Sequence, residues 1–463
     1  MTHVATIPNT LDFNLGVVEG ERFSPARRSG LRFNLFLLLT ATIFLRPTDL
    51  IPELQGLPIY ESIIVLCAVS SLPILANQLR WRTLKAQPWT LCVIGLLPAI
   101  LLADLSHGNV FAARTNGLDF LKILVYYLLL VGLVDSPERL RKFLVAVALL
   151  VTLLAGLALL EYRKVINIPA LAPMVEGVGE DAEIDETAVI VRLMATGIFH
   201  DPNDFSLVVG ASIMIGLYWI FEQRNWLVRI LWLGAIATLT YAFVLTQSRG
   251  GFVGLSAGTT AILLSRFGWR RSLPILAIVL PCVLVAGGRQ TSIDLTDTGD
   301  TGHGRIQLWR DSLVLFRTAP VFGIGAGQLA EENELVAHNS YVQAFAELGL
   351  VGGTLFVGAW YLCLTVIRKG GDAIAGASFD TLQVLRWRPY VLGMLMTYAC
   401  GLFSLTRCYA VSTYVILGSG AAYAHIISSH LQVSSSFSGR LCLRVLAVGG
   451  LSILGLYVFV HIF

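Results

Sequence analysis

Long apolar runs separated by short polar breaks dominate the chain. A helix needs about 20 mostly apolar residues to cross the hydrocarbon core of a bilayer. Runs near 33–47, 57–78, 89–105, 117–134, 143–160, 204–221, 227–246, 251–265, 273–287, 340–367, 389–406, 409–428 and 442–462 reach or approach that length. The pattern predicts an all-α fold, a polytopic transmembrane helical bundle of about 12–13 spans, with 251–265 and 273–287 marginal in length. The first run begins near residue 34, behind a polar segment too long for a cleavable signal peptide, and reads as a retained span. Residues 1–32 are then a cytoplasmic segment and 33–463 one membrane domain. Two polar segments, near 161–203 and 288–339, are long enough to be external loops. The first carries an acidic stretch from Glu176 to Glu186. In the second, Ile306, Trp309, Leu313 and Phe316 share one helical face, which predicts a short amphipathic helix lying at the membrane interface.

Composition agrees. Charged residues make up 14% of the 463, against about 25% in a soluble protein, which excludes a soluble multidomain enzyme. The formal net charge of +3 gives no basic face for nucleic acid. The cysteines Cys67, Cys92, Cys282, Cys363, Cys400, Cys408 and Cys442 form no metal-type cluster and read as small buried hydrophobes.

Lys and Arg set the orientation. With the N-terminus inside, every second loop is basic: Arg80, Arg82 and Lys85; Arg139, Arg141 and Lys142; Arg224 and Arg229; Arg266, Arg270 and Arg271; Arg368 to Arg388; Arg440 and Arg444. The alternation is unbroken, as the positive-inside rule requires. Arginines on the other side need another reason, and Arg192, Arg249 and Arg305 each lie beside a glycine-containing motif that opens a helix.

Gly197-Ile-Phe-His-Asp-Pro-Asn203-Asp204 opens one span. It reads either as a capped helix start or as free N–H groups that, with Arg192, receive an anion. Thr246-Gln-Ser-Arg249-Gly-Gly251 fills a short outer turn whose glycines suit a tight reversal; Arg249 either snorkels to headgroups or holds an anion. Gly304-Arg305 starts the amphipathic helix, and Gly323-Ile-Gly-Ala-Gly327 after it reads as a tight turn, not a nucleotide loop. In His338-Asn339-Ser340-Tyr341-Val-Gln343, Ser340 and Gln343 have capping-box spacing, so a helix should begin at Ser340. His338 then precedes a partially positive helix N-terminus, which keeps imidazole neutral and able to take a proton. Glu347, two turns in, should face protein or water. Several arginines with a neutral histidine suit a pyrophosphate leaving group and attack on the carbon that bears it.

The stretch Gly304-Arg305…Trp309…Pro320…Gly323-Ile-Gly-Ala-Gly327…His338-Asn339-Ser340-Tyr341…Glu347-Leu-Gly349…Gly352 resembles the signature of the O-antigen ligase/polymerase family, and the two upstream motifs resemble that family's other landmarks. Together they cover about 190–365. The resemblance implies a multi-pass protein of the bacterial inner membrane with a periplasm-facing site. Such an enzyme moves a glycan from an undecaprenyl-pyrophosphate carrier to lipid A core (a ligase) or to another lipid-linked repeat (an O-antigen or exopolysaccharide polymerase). It implies an inverting transfer with no cofactor, no metal and no nucleic-acid partner. His338 would be general base, Arg305, Arg249 and Arg192 would hold the pyrophosphate, and Asn339, Asn203 and Glu347 would support them. A transporter or lipid-linked glycan flippase is the reading from another class. It expects ionisable residues at the bilayer midplane and related halves. Here the main intramembrane pair, Asp119 and Lys122, has the i,i+3 spacing of a local ion pair.

Overall fold

The computed structural model describes residues 30–176, 190–286, 301–333, 337–371, 379–431 and 437–462. Nearly all of the expected cytoplasmic segment and of the acidic stretch, and the first part of the second external loop, lie outside the described residues.

The described chain is almost entirely helical. It runs α1 (Gly30–Leu45), α2 (Pro47–Leu50), α3 (Ile59–Ser70), α4 (Leu72–Gln78), α5 (Trp81–Ala86), α6 (Pro88–Ser106), α7 (Val110–Leu133) and α8 (Pro137–Tyr162). A two-stranded antiparallel ribbon follows, β1 (Met174–Glu176) with β2 (Ile190–Arg192). Then come α9 (Pro202–Glu222), α10 (Trp226–Leu245), α11 (Arg249–Phe267), α12 (Trp269–Ala286), α13 (Thr301–Thr318), α14 (Gln328–Asn333), α15 (Ser340–Lys369), α16 (Phe379–Leu385), α17 (Arg388–Gly401), α18 (Val411–Leu431) and α19 (Gly439–Ile462).

Every apolar run expected to span falls on a helix, and the all-α polytopic bundle is what the chain forms. Among the described residues, seven helices (α6, α7, α8, α9, α10, α15 and α19) are long and apolar enough to cross a bilayer unaided. The pair α3 and α4, bent by 74°, makes an eighth if it is one span. The remaining runs form shorter or less apolar helices. α11 shows why: a helix packed against protein does not need an apolar surface all round. Its Gly254 and Gly258 lie directly on Thr397, Gly393 and Gly401 of α17, so close that a Cβ on either glycine would overlap them. Small residues four apart on both helices let the backbones meet.

α15 packs on α6, α18 and α19, and α9 on α8, α10, α11 and α17. α10 and α19 are peripheral and turn Leu227, Ile230, Leu231, Leu443, Leu446 and Leu454 outward, as lipid-facing surfaces do.

Three local expectations change. The apolar face of α13 is turned to protein. Ile306, Leu313 and Phe316 are buried against protein, Phe316 meets Phe345 of α15 and Trp309 meets Phe459 of α19. An amphipathic face needs only an apolar partner, and here two helices supply it. Gly250 and Gly251 do not form the reversal before α11. They belong to its first turn, where Gly250 lies on Ser404 and Gly251 on Ser206, while Gln247 takes the left-handed turn position (φ 49°). Finally, α15 is broken at Gly349 (φ 63°, ψ −163°).

The break has a built partner. Ile324 N–H donates to Ala346 O (3.0 Å) and Gly325 N–H to Glu347 O (3.1 Å), while Leu350 N–H donates to Pro320 O (2.8 Å). The glycine-rich segment 320–325 thus takes up backbone groups that the interrupted helix would leave unpaired inside the bundle. Gly323, Gly325 and Gly327 all have positive φ, so the segment is the tight turn expected of it.

Candidate active site

The loops at one end of the bundle are tied to one another by side chains. Asp201 caps α9: its Oδ1 accepts from Asn203 N–H (2.7 Å) and Asn203 Nδ2 (3.0 Å). This leaves Asn203 Oδ1 to accept from Ser248 Oγ (2.8 Å) and Arg192 Nη2 (2.9 Å). Arg192 Nε donates to Thr246 O (2.9 Å). Asn203 is therefore the junction of the two upstream motifs. Arg192 is buried, with donors directed at protein acceptors, which gives it a clear role in joining β2 to the starts of α9 and α11. Ser248 caps α11 by accepting from Gly251 N–H (3.0 Å), which places Arg249 in the first helical position, beside Ser404 through Gly250.

α15 begins at Ser340, but not by the expected capping box. Asn339 is the cap; its Oδ1 accepts from Tyr341 N–H (3.0 Å) and Val342 N–H (3.2 Å). With those amides satisfied, Ser340 and Gln343 are free to bind the α17–α18 loop. Ser340 Oγ donates to Leu405 O (2.5 Å) and accepts from Arg407 N–H (2.9 Å), and Gln343 Oε1 accepts from Cys408 N–H (3.2 Å). Gln343 Nε2 donates to Glu347 Oε2 (3.1 Å). Glu347 is 1% exposed and faces protein.

The same loop carries the residue that sequence reasoning missed. Arg407 forms a bidentate ion pair with Asp204 of the first motif, Nε lying 2.7 Å from both carboxylate oxygens and Nη2 closing on Oδ2. Asp204 is almost wholly buried, while the Arg407 side chain is 35% exposed. Burial draws the guanidinium pKa down, but the Asp204 carboxylate more than offsets it and holds the charge firmly. A signal existed: Arg407 falls on the expected outer side in a turn of only a few residues, the argument that singled out Arg249.

His338 lies immediately before the Asn339 cap, half-buried, in left-handed backbone (φ 49°). Trp309 Nε1 donates to Ala337 O (2.7 Å) and so pins the Arg305 helix beside it. Burial is the largest effect lowering the His338 pKa below 6.5, and the Arg305 charge adds to it. Asp201 pulls the other way, and Arg407 lowers it further. The neutrality expected from the helix N-terminus thus has burial and Arg305 as its main causes. The structure gathers His338, Arg305, Arg407, Asp201 and Asp204 into one electrostatic neighbourhood.

From the far side, α6 and α7 fix the glycine-rich turn. Asp104 Oδ1 accepts from Ala326 N–H (2.8 Å), Asn116 Nδ2 donates to Asp104 Oδ2 (3.0 Å) and Ala326 O (2.9 Å), and a His107 ring nitrogen pairs with Gly323 O (2.9 Å). Two cavities are walled in part by the loops that carry the cluster. One, about 670 Å3, is walled by apolar side chains of α13, α15, α17 and α19, including Trp309, Tyr341, Trp360 and Phe459, and by Phe403 of the loop after α17. The other, about 860 Å3, mixes charged and apolar side chains and lies between α1, α3, α7 and the segments 197–200 and 409–411. Among the described residues no group of three or more His, Cys, Asp and Glu side chains is placed to hold a metal ion.

A multi-pass helical membrane protein with its chemistry-bearing side chains gathered at one end is the class this architecture defines. Residues 233–357, over a quarter of the chain, match the family model described as O-Antigen ligase. These residues carry an O-antigen ligase domain, which supports the resemblance to the ligase/polymerase type seen in the motifs and implies a glycosyltransferase-like enzyme. The match runs from within α10 to the broken middle of α15 and includes Arg249, Arg305, His338, Asn339 and Glu347; Arg192, Asn203 and Arg407 lie outside it. No curated protein matches the chain.

Proposed function

We propose that the protein is an inverting glycosyltransferase of the bacterial inner membrane. It moves a glycan from an undecaprenyl-pyrophosphate carrier to a sugar hydroxyl of lipid A core at the periplasmic face. The observation that carries this reading is the neutral, half-buried His338 held beside Arg305 and Arg407 at the loop end of the bundle. His338 takes the proton of the acceptor hydroxyl as its oxygen bonds to the anomeric carbon. The bond from that carbon to the pyrophosphate oxygen breaks, and the lipid pyrophosphate leaves with the electron pair. Arg305 and Arg249 neutralise the charge that develops there, the step at which fixed donors stabilise a transition state most. One displacement inverts the anomeric centre. Arginine supplies the positive charge, so no metal ion is needed in this scheme. The 670 Å3 apolar cavity beside Trp309 and Tyr341 offers the carrier's hydrocarbon chain a wall continuous with the Arg305 helix. Arg192 acts one step back, by fixing Asn203 and the start of α11.

Purified wild type, His338→Ala and Arg305→Ala, each checked for folding, are given lipid-pyrophosphate-linked glycan and lipid A core. Wild type should transfer, and each variant should lose at least about a hundredfold, the usual scale of a general base or one oxyanion donor. Full transfer by both variants would sink the site. Transfer by wild type to a second lipid-linked repeat, but not to lipid A core, would make the protein a polymerase.

A further inference from the structure

The 860 Å3 cavity of mixed lining has no part in the scheme above, yet it adjoins the site. Its wall includes Gly197 and His200 of the first motif and Tyr409 to Val411, which directly follow the Arg407 loop. Phe403, at the other end of that loop, walls the apolar cavity. The two cavities share no residue, and Arg407 lies between the points where the loop meets them.

Their linings call for different ligands. In the larger cavity, whose wall also carries apolar side chains such as Ile59, Ile123 and Ile198, Arg46 and Lys122 accompany Asp49, Glu61 and Asp119, so the charges nearly cancel. Arg46 pairs with Asp49 (3.5 Å) and Lys122 with Asp119 (2.9 Å), and both pairs remain substantially exposed. Such a lining gives no net attraction to a pyrophosphate, and a hydrocarbon chain would strip water from ions without replacing it. It does suit a ligand that donates and accepts hydrogen bonds at many points while presenting C–H faces to Tyr60 and Tyr409. A saccharide has that chemistry, and the volume lies within the range of small-molecule sites.

The junction with the site is closely fitted, with one strained residue, Arg46. Arg46 has left-handed backbone (φ 43°), as does Gly197 (φ 63°). The Arg46 side chain crosses Gly197 so closely that a Cβ there would lie 2.1 Å from its Cδ. Glycine takes this conformation freely, but at Arg46 it is strained, and such strain persists where surrounding structure holds it, often at ligand sites.

We infer that this cavity is the subsite for the acceptor saccharide, which delivers its hydroxyl to the reaction centre from the side opposite the carrier lipid. The inference rests on the transfer reading and deepens it: an in-line displacement needs nucleophile and leaving group on opposite sides of the anomeric carbon, and the two cavities meet the Arg407 loop at its two ends.

The test uses the full chain in nanodiscs with two independent variants, the double substitution Asp119→Asn/Lys122→Gln and the cavity-filling Ala170→Trp. The Asp119 pair is exposed, so its loss should barely affect folding. Binding of delipidated lipid A core oligosaccharide is measured at equilibrium without donor, and steady-state transfer is measured separately. Each variant should weaken oligosaccharide binding and raise the acceptor KM tenfold or more, with donor KM and kcat at saturating acceptor near wild type. Oligosaccharide binding within twofold of wild type in both variants overturns the inference. So does a rise in donor KM with acceptor binding unchanged, which would give the cavity to the donor's own sugars. If wild type binds the oligosaccharide and the variants do not, but no glycan is transferred, the subsite stands and the transfer reading falls.

Discussion

His338 is worked on by charges from three directions, and each can be altered singly. Arg305 on α13 and Arg407 on the α17–α18 loop favour the neutral ring, and Asp201 before α9 favours the charged one. The base form is lost as pH falls through the His338 pKa, so the acid limb of the rate profile should lie below pH 6.5. Asp201→Asn removes the one charge that raises this pKa, and asparagine caps a helix as well as aspartate does. The acid limb of kcat/KM should therefore move to still lower pH while thermal stability stays near wild type. An unmoved limb in a folded variant would mean that His338 is not the titrating base. The site was half legible at this scale. Arg305, Arg249 and His338 stand in helix-start motifs that local spacing exposes. Arg407 belongs to no local motif; its meaning comes from Asp204, two hundred residues earlier. Arg192 was legible as an outer arginine, but its acceptors, Thr246 O and Asn203 Oδ1, belong to tertiary structure.

At the scale of elements, apolar runs revealed the helices because the bilayer imposes their length, and glycine spacing failed wherever its cause was another backbone. Gly250 looked like a turn residue and serves helix packing. Gly349 looked like a helix residue and sits at a break, because the partner that compensates for it, 320–325, is distant in sequence and has no hydrophobic signature. The interlock makes a sharp prediction. A Cβ at Gly349 would fall 2.3 Å from Val321 O and 2.6 Å from Gly323 N, and the backbone there is left-handed. Gly349→Ala should lower stability by about 1–3 kcal/mol from the backbone conformation alone, and by more if the turn is displaced. Because that turn is continuous with α13 and α14, glycan transfer should fall too. Gly156→Ala on α8 is the control: nothing lies within 4 Å of its Cβ position, and it should be neutral or slightly stabilising. Thermal unfolding in detergent compares the two; equal midpoints would show that the break is not held by the contacts described.

For the whole molecule, the distribution of charge and the proposed chemistry make one linked claim about sidedness. The basic loops Arg80–Lys85, Arg139–Lys142, Arg224–Arg229 and Arg266–Arg271 belong to one end of the bundle, where Arg266 pairs with Glu222 (3.0 Å) and Phe437 N–H with Lys85 O (2.8 Å). His338, Arg305, Arg249 and Arg407 belong to the other. Lys and Arg near span ends stay on the cytoplasmic side, so the second end should face the periplasm, where no nucleotide is needed to drive transfer from a lipid pyrophosphate. Single cysteines placed at exposed positions test this directly. Gln55→Cys and Val165→Cys lie at the His338 end, and Glu138→Cys and Asn225→Cys at the basic end. Cys67, Cys92, Cys363 and Cys408 are buried and Cys400 and Cys442 half-buried, and wild type treated in the same way sets the background. A membrane-impermeant maleimide added to spheroplasts should label the first two at once and the second two only after the membrane is opened. The opposite pattern would turn His338 to the cytoplasm, and the proposed periplasmic transfer would fall with it, whatever the arginines bind.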